Sequence, residues 1–250
     1  MEHEVQHTVS YHVSLVVLPV DDFTGKPITG GQVRIYAAGE KASVIKPDGY
    51  HIFMNLQERK ITIHCVGEWY TSRTEEIILS SDSVPQIVKL RLSPSASYPI
   101  PSGAACVAGK AAPGKKIRFF CTNSEEMYRL SGEYSCTGDA RDTLHIFNPS
   151  QKDLEGRTML IQDKNGQQEY FSIVAMVEED YRMALPLQRD YKRIGTVLYP
   201  VFETYSDSKG DFFILLENRR KKEDVWSWEI EGDPTKREVV LTSGRTSRIE

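Results

Sequence analysis

Three short stretches between residues 21 and 53 decide the fold that this sequence predicts: DDFTGKPI (21–28), VRIY (33–36) and PDGYHIF (47–53). The first and third contain Thr-Gly-Lys-Pro and Pro-Asp-Gly. Both are turns, because glycine takes a positive φ at little cost and proline fixes its own φ. An apolar run follows each turn, and this alternation predicts a series of short β-strands.

The series of strands continues to residue 92. In ITIHC (61–65) apolar and polar residues alternate, which is typical of a strand with one buried face, so Cys65 is expected to point inward. The runs EWY (68–70), IIL (77–79) and IVKLRL (87–92) complete the set. This order resembles the carboxypeptidase regulatory-like domain, a transthyretin-like β-sandwich with a prealbumin-like Greek key. The resemblance implies a domain over about residues 11–93 that carries no chemistry of its own.

A stretch rich in proline, serine and glycine, SPSASYPIPSG (93–103), follows the last of these strands. Such a composition punctuates domains, and the prolines keep the chain extended. We therefore expect an N-terminal arm at residues 1–10, the sandwich at 11–93, a linker at 94–103 and a second β-rich domain at 104–250. The expected fold class is all-β, with two tandem antiparallel β-sandwich domains.

The second half also contains strand patterns. The clearest pair is TMLIQ (158–162) and EYFSIVAMV (169–177), joined through DKNG (163–166). An Asn-Gly between such runs predicts a hairpin with a type I′ turn, in which both central residues have positive φ. Further on, SDSKGDFFIL (206–215) echoes PDGYHIF. A second sandwich related to the first is one interpretation of this echo, and a chance similarity between two turns is the other.

Composition excludes several classes of protein. The chain is 40% hydrophobic and 26% charged, and no apolar run approaches the roughly 20 residues that span a bilayer, so no membrane insertion is expected. A net charge of -4 argues against a nucleic-acid binder, which would carry a basic face. The first residues, MEHEVQH (1–7), lack the basic start and apolar core of a signal peptide. We expect a cytoplasmic protein, or one assembled in the cytoplasm into a larger particle.

Catalytic and metal-binding motifs are missing from the sequence. It contains no GxSxG, GxxxxGK[ST], HExxH or GxGxxG motif. The four cysteines, Cys65, Cys106, Cys121 and Cys136, form no CxxC pair, which favours small core residues in a reducing compartment over disulfides or zinc ligands. We therefore expect neither an enzyme nor a protein with a cofactor or a metal.

Aromatic residues are the candidates for contacts with a partner. Trp69 and Tyr70 follow a strand in a predicted loop, and Trp226 and Trp228 share one face of a strand with Ile230. Two interpretations of the latter pair are open: a core stripe, or an exposed stripe that stacks on sugars or anchors a protein. In the family that the first domain resembles, an aromatic at the Trp69-Tyr70 position closes the sandwich, which implies a packing role for at least one of them.

These observations favour a non-catalytic structural or interaction protein that acts as an adaptor or spacer and binds protein partners within a larger assembly. Its build is similar to that of accessory proteins of phage-tail-like contractile particles, which assemble inside the cell. The alternative is a carbohydrate- or polymer-binding module at a cell surface, which would use the same sandwich and the same aromatic residues.

Overall fold

A computed structural model describes residues 12–39, 41–57, 59–79, 85–122, 127–216 and 223–249. All regular secondary structure within these residues is β, which confirms the predicted all-β class. The expected N-terminal arm, residues 1–10, lies outside the described residues. In the described part of the chain, no helical segment has the length and apolarity needed to cross a membrane.

The N-terminal unit, which we define as residues 12–93, has eight strands among its described residues. Their bounds are β1 (Val13–Asp21), β2 (Val33–Ala37), β3 (Lys41–Ala42), β4 (Val44–Ile45), β5 (His51–Met54), β6 (Lys60–Gly67), β7 (Arg73–Ile78) and β8 (Gln86–Leu92). The strands form two four-stranded sheets, ordered β4-β5-β1-β8 and β3-β2-β6-β7. Strand β1 runs antiparallel to β5 and parallel to β8.

The apolar faces of these two sheets share one core cluster. Ile61, Ile63 and Cys65 of β6 belong to it and are at most 6% exposed, as their alternation predicts. Leu15 and Val17 of β1 belong to it as well. The inward position of Cys65 is therefore confirmed.

Thirteen more strands follow in the described residues. Their bounds are β9 (Ala105–Lys110), β10 (Lys116–Phe120), β11 (Tyr128–Leu130), β12 (Thr143–Leu144), β13 (Ile146–Phe147), β14 (Thr158–Gln162), β15 (Gln168–Val177), β16 (Asp180–Met183), β17 (Val197–Tyr205), β18 (Asp211–Leu216), β19 (Glu223–Ile230), β20 (Asp233–Thr242) and β21 (Thr246–Ile249). We call residues 127–196, with β11 to β16, the inserted segment. Residues 104–122 and 197–249 are the C-terminal unit.

Strand pairing in the C-terminal unit repeats the order found in the N-terminal unit. Strand β9 runs antiparallel to β18 and parallel to β21, as β1 does with β5 and β8. The facing sheet of the C-terminal unit contains the order β17-β10-β19-β20. This matches the order β3-β2-β6-β7 in the N-terminal unit, strand for strand. The inserted segment stands between β10 and β17, at the place of the β2–β3 connection. It extends the β17-β10-β19-β20 sheet through β14, which pairs with β17.

The turns that precede β5 and β18 are also alike. The Gly49 N–H donates to the Lys46 carbonyl over 3.0 Å, and the Gly210 N–H donates to the Asp207 carbonyl over 3.0 Å. Both glycines have positive φ, 94° and 82°. A Cβ on Gly49 would collide with the Ile28 carbonyl oxygen, and one on Gly210 with that of Ala111. The resemblance of PDGYHIF to SKGDFFI therefore reflects equivalent places in the strand order.

The predicted hairpin of β14 and β15 is confirmed, but its predicted turn type is wrong. Gly166 has positive φ, 82°, and Asn165 does not. The Asp163 carboxylate instead accepts hydrogen bonds from the N–H groups of Asn165 and Gln167, both over 2.8 Å. These bonds favour a type I turn that ends in a glycine bulge over the type I′ turn that Asn-Gly alone predicts.

Residues 94–103, the expected linker, pack against the N-terminal unit. The Ser95 N–H donates to the Trp69 carbonyl over 2.8 Å. The Tyr98 hydroxyl donates to the Asp21 carboxylate over 2.6 Å, and the Tyr98 ring is half-buried. These contacts hold the segment in place, although its composition predicts an extended spacer.

Candidate functional site

Trp226 and Trp228, two of the four residues predicted to anchor a partner, lie in the core of the C-terminal unit. They are 2% and 3% exposed. The Trp228 ring stacks on Phe119, with the ring centroids 6.1 Å apart and the planes 16° apart, and Trp226 packs edge-on against Phe202 at 5.5 Å. Of the two interpretations of this pair, their burial matches the core stripe, because the face they share packs β10, β17 and β19 against the sheet of β9.

Tyr70 is also buried, at 5% exposed. Its hydroxyl donates to the Asp21 carboxylate over 3.2 Å, beside the hydroxyl of Tyr98. Burial and the charge of Asp21 raise the pKa of Tyr70 above its usual value. Burial and the hydrogen bond to Asp21 raise the pKa of Tyr98 in the same way. Both hydroxyls therefore keep their protons and serve as donors that hold the loop at residues 68–72 and the segment 94–103 together.

Trp69 is the one predicted anchor that reaches the surface, at 37% exposed. Its ring packs edge-on against Tyr98, with centroids 6.5 Å apart. Tyr98 in turn packs against a small cluster of Ala104, Cys106 and Leu215 in the C-terminal unit. Trp69 is thus a partly exposed aromatic residue on a fixed support, beside the line where the two units meet.

A groove of about 1110 Å³ lies along the same line. One wall consists of Glu68 and residues 70–72 and 95–97, and the other side consists of residues 108–110, 205–208, 211–213 and 248–249. Phe213, Ala108 and Arg248 lie side by side on β18, β9 and β21, and provide part of the floor.

The groove is lined by mixed chemistry. Lys110 and Asp211, on adjacent strands, form an exposed ion pair 3.4 Å apart. Hydroxyl groups come from serines on both sides, and Glu68 and Asp207 add carboxylates. This mixture suits the polar rim of a protein interface around one or two aromatic contacts. Trp69 lies between two lining residues in the chain, Glu68 and Tyr70, but does not line the groove itself.

Glu203 of β17 lies where all three parts of the protein meet. Its side chain is 9% exposed and accepts hydrogen bonds from Arg118 Nε over 3.1 Å and from Thr158 Oγ1, in the inserted segment, over 3.0 Å. Ser93 of the N-terminal unit donates to the Glu203 carbonyl. Desolvation alone would raise the pKa of Glu203, but the charges of Lys116, Arg73 and Arg118 outweigh it and hold that pKa below its usual value. We call Glu203 and its three hydrogen-bond partners, Arg118, Thr158 and Ser93, the Glu203 junction.

A second charged contact joins the N-terminal unit to the inserted segment. The Asp22 carboxylate accepts a hydrogen bond from Arg157 Nη2 over 2.7 Å. Arg91 of β8 donates to the carbonyls of Glu155 and Asp153, over 2.9 Å and 2.7 Å. No sequence motif marks Asp22, Arg91 and Arg157 as a contact between parts of the chain. The only signal for them is the run VVLPV (16–20), whose lack of alternation suggests a strand covered on both sides.

The described residues contain no group of three or more histidine, cysteine or acidic side chains that could hold a metal ion. None of the four cysteines forms a disulfide; Cys65, Cys106 and Cys121 are buried and Cys136 is half-buried. Asp21 uses its carboxylate to hold the first turn, accepting from the N–H groups of Phe23 and Thr24 over 2.9 Å and 3.1 Å.

Comparison of the chain with protein-family models gives no match, and comparison with curated proteins gives none.

Proposed function

We propose that this protein is a non-catalytic adaptor or spacer in a larger assembly, built from two β-sandwiches of the carboxypeptidase regulatory-like kind. The repeated strand order supports two related sandwiches, with the inserted segment added to the second. The buried charged groups support a structural role, because they pair with one another between parts of the chain.

The Glu203 junction is the observation that carries this proposal. A spacer passes on the position of one partner to another only if its own parts keep a fixed orientation. One carboxylate residue binds Arg118, Thr158 and Ser93, which belong to the C-terminal unit, the inserted segment and the N-terminal unit. Charged hydrogen bonds depend on direction as well as distance, so such a junction resists sliding more than an apolar contact of the same area.

Trp69 and the groove are the proposed contact with a partner. A half-exposed aromatic side chain on a rigid support loses little conformational freedom on binding, and such residues dominate the binding energy of many interfaces. The buried positions of Trp226 and Trp228 remove the aromatic stripe on which the carbohydrate-binding alternative depends. We propose a protein partner, within a phage-tail-like contractile particle assembled in the cytoplasm.

The test is sedimentation of the tagged protein from its own cells. We expect the wild type to sediment with a large particle, and Trp69→Ala to reduce the bound fraction about tenfold at limiting concentration, the loss typical of an interface hot spot. The matched control is Ile194→Ala, which also truncates an exposed apolar side chain, 87% exposed, but one that belongs to the inserted segment. A wild type that remains at the position of a monomer, or equal binding by Trp69→Ala, would contradict the proposal.

Rigidity is tested separately. Pulsed electron paramagnetic resonance between spin labels at Lys60 and Lys110, whose side chains are 60% and 75% exposed, measures the distance between the two units. We expect a single narrow distance distribution. A broad or double distribution would refute a spacer role and leave the contact at Trp69 open to its own test.

A further inference from the structure

A small cavity lies where the first turn of the N-terminal unit meets the inserted segment. Its volume is about 260 Å³, and residues 22–25 and 152–154 form its sides. Arg91, Arg157 and Phe202 complete the lining. It shares no lining residue with the groove. Thr24 and Lys152 are exposed, so the cavity is open to solvent between them.

Arg157 is built into this cavity. The residue is 9% exposed, its guanidinium group lies over the Phe202 ring at 4.7 Å, and its Nη2 donates to Asp22 over 2.7 Å. Its Nη1 is buried and has no hydrogen-bond partner among the described residues. A buried guanidinium donor without an acceptor is costly, so an acceptor that reaches Nη1 removes that cost.

Arg91 adds a second buried guanidinium beside the first. Its Nε and Nη2 bind backbone carbonyls, and its Nη1 lies 3.9 Å from Asp22, which is too far for a hydrogen bond. Burial and the charge of Arg157 lower the pKa of Arg91 from its usual value. The two arginines therefore share a single buried carboxylate, that of Asp22. The other carboxylate of the lining, Asp153, is exposed; it pairs with Lys89 over 2.9 Å and lies 3.9 Å from Arg91 Nη2.

We propose that this cavity binds an oxyanion, either a carboxylate or a phosphate group. A planar guanidinium donor is the preferred partner of both groups, and two such side chains converge here within a cavity large enough for either. The charge of the lining disfavours a cation, and the polar lining disfavours an apolar ligand.

The oxyanion has two possible sources that share this chemistry. One is inorganic phosphate from solution, which would brace the N-terminal unit against the inserted segment. The other is an aspartate or glutamate side chain of a partner, which would enter between Thr24 and Lys152. Titration with different probes distinguishes the sources.

The experiment is a titration of the full chain with sodium phosphate, sodium acetate and a short peptide with one aspartate, at constant ionic strength. Binding is followed by NMR chemical shifts and by the thermal unfolding midpoint. We expect saturable one-site binding with a Kd of about 10 mM or tighter for at least one probe, and a rise in the midpoint as binding saturates. Phosphate as the tightest probe indicates the solution ion, and the peptide as the tightest indicates a partner side chain.

Two variants test the location of the site. Thr24→Glu places a carboxylate at the exposed mouth of the cavity and should weaken binding about tenfold or more by repulsion. Thr29→Glu is the control, because Thr29 is exposed on the same connection and does not line the cavity. Arg157→Lys keeps the charge and removes the planar pair of donors, so it should also weaken binding. If no probe saturates, or if Thr24→Glu binds as tightly as Thr29→Glu, the proposal is wrong.

Discussion

Replacing Glu203 with glutamine tests whether the Glu203 junction holds the three parts of the protein together. Glutamine keeps the size of the side chain and its ability to accept from Thr158. It removes the charge that faces Arg118 at 3.1 Å and Lys116 at 3.7 Å. These cations then lie around a neutral group in a site where the side chain is only 9% exposed.

The magnitude follows from the burial of the site and from the other partners of its cations. Removing one partner of a buried ion pair costs about 3–5 kcal/mol, because the remaining charge is left uncompensated. Arg118 has other carboxylates nearby, Glu229 at 3.8 Å and Glu231 at 3.5 Å, and Arg73 has Glu75 at 2.8 Å. We therefore expect Glu203→Gln to lower the free energy of unfolding by about 3 kcal/mol, the lower end of that range.

The assay is urea unfolding at neutral pH, followed by tryptophan fluorescence. The matched control is Glu76→Gln, which breaks the pair with Lys60, where the side chains are 61% and 60% exposed. An exposed pair is worth less than about 1 kcal/mol, so the control should differ little from the wild type. Equal losses in the two variants would refute the conclusion that the Glu203 charge is a buried structural contact.

Two further predictions concern acid stability and the repeated turns. The pKa of Glu203 is lowered in the folded protein, so its charge stabilises the fold above the ordinary glutamate pKa, about 4.5. That stability is lost as pH falls through the lower folded pKa, so below pH 4.5 the unfolding free energy should fall less steeply in Glu203→Gln than in the wild type. Gly166→Ala and Gly210→Ala both place alanine at φ 82°, which costs about 1–2 kcal/mol. Gly210→Ala should cost about 2 kcal/mol more in thermal or urea unfolding, because its Cβ meets the Ala111 carbonyl while that of Gly166 meets nothing within 4 Å; equal costs would contradict the role given to Gly210.

The strands of the N-terminal unit were predictable because their signals are local. In ITIHC the alternation places Ile61, Ile63 and Cys65 in the core, and the positive φ of Gly49 follows from Pro-Asp-Gly. The repeated strand order was much harder to see, since residues 121–196 separate the paired strands β10 and β17. The sequence echo at SKGDFFI matches β18 to β5 correctly. The strand just before this turn, β17, is not the counterpart of β1, because the pairing of β9 with β18 and β21 gives β9 that place.

The alternation of Trp226 and Trp228 shows that they share a face but not which face meets water. Their burial depends on the sheet of β9, β18 and β21, which covers that face and is built from chain segments on either side of the inserted segment. The charged residues that join the N-terminal unit to the inserted segment were still less predictable. Asp22, Arg91 and Arg157 are each ordinary charged residues in the sequence, and they meet only because β8, the first turn and the inserted segment converge.

The distribution of buried charge also bears on why a spacer would be built this way. Apolar contacts, such as that of Tyr98 with the cluster of Ala104, Cys106 and Leu215, hold two surfaces together but tolerate small shifts between them. Forming a buried ion pair adds little net stability, because both charges lose their hydration. Moving the two groups apart leaves a buried charge unpaired, so misalignment costs more free energy than the aligned pair contributes. The Asp22–Arg157 pair joins the N-terminal unit to the inserted segment, and the Glu203 junction joins all three parts. Two such contacts fix an orientation that one alone would leave free to rotate. A protein selected only for stability would gain more from apolar residues at these places, and that difference is what supports a role in setting the geometry of a larger assembly.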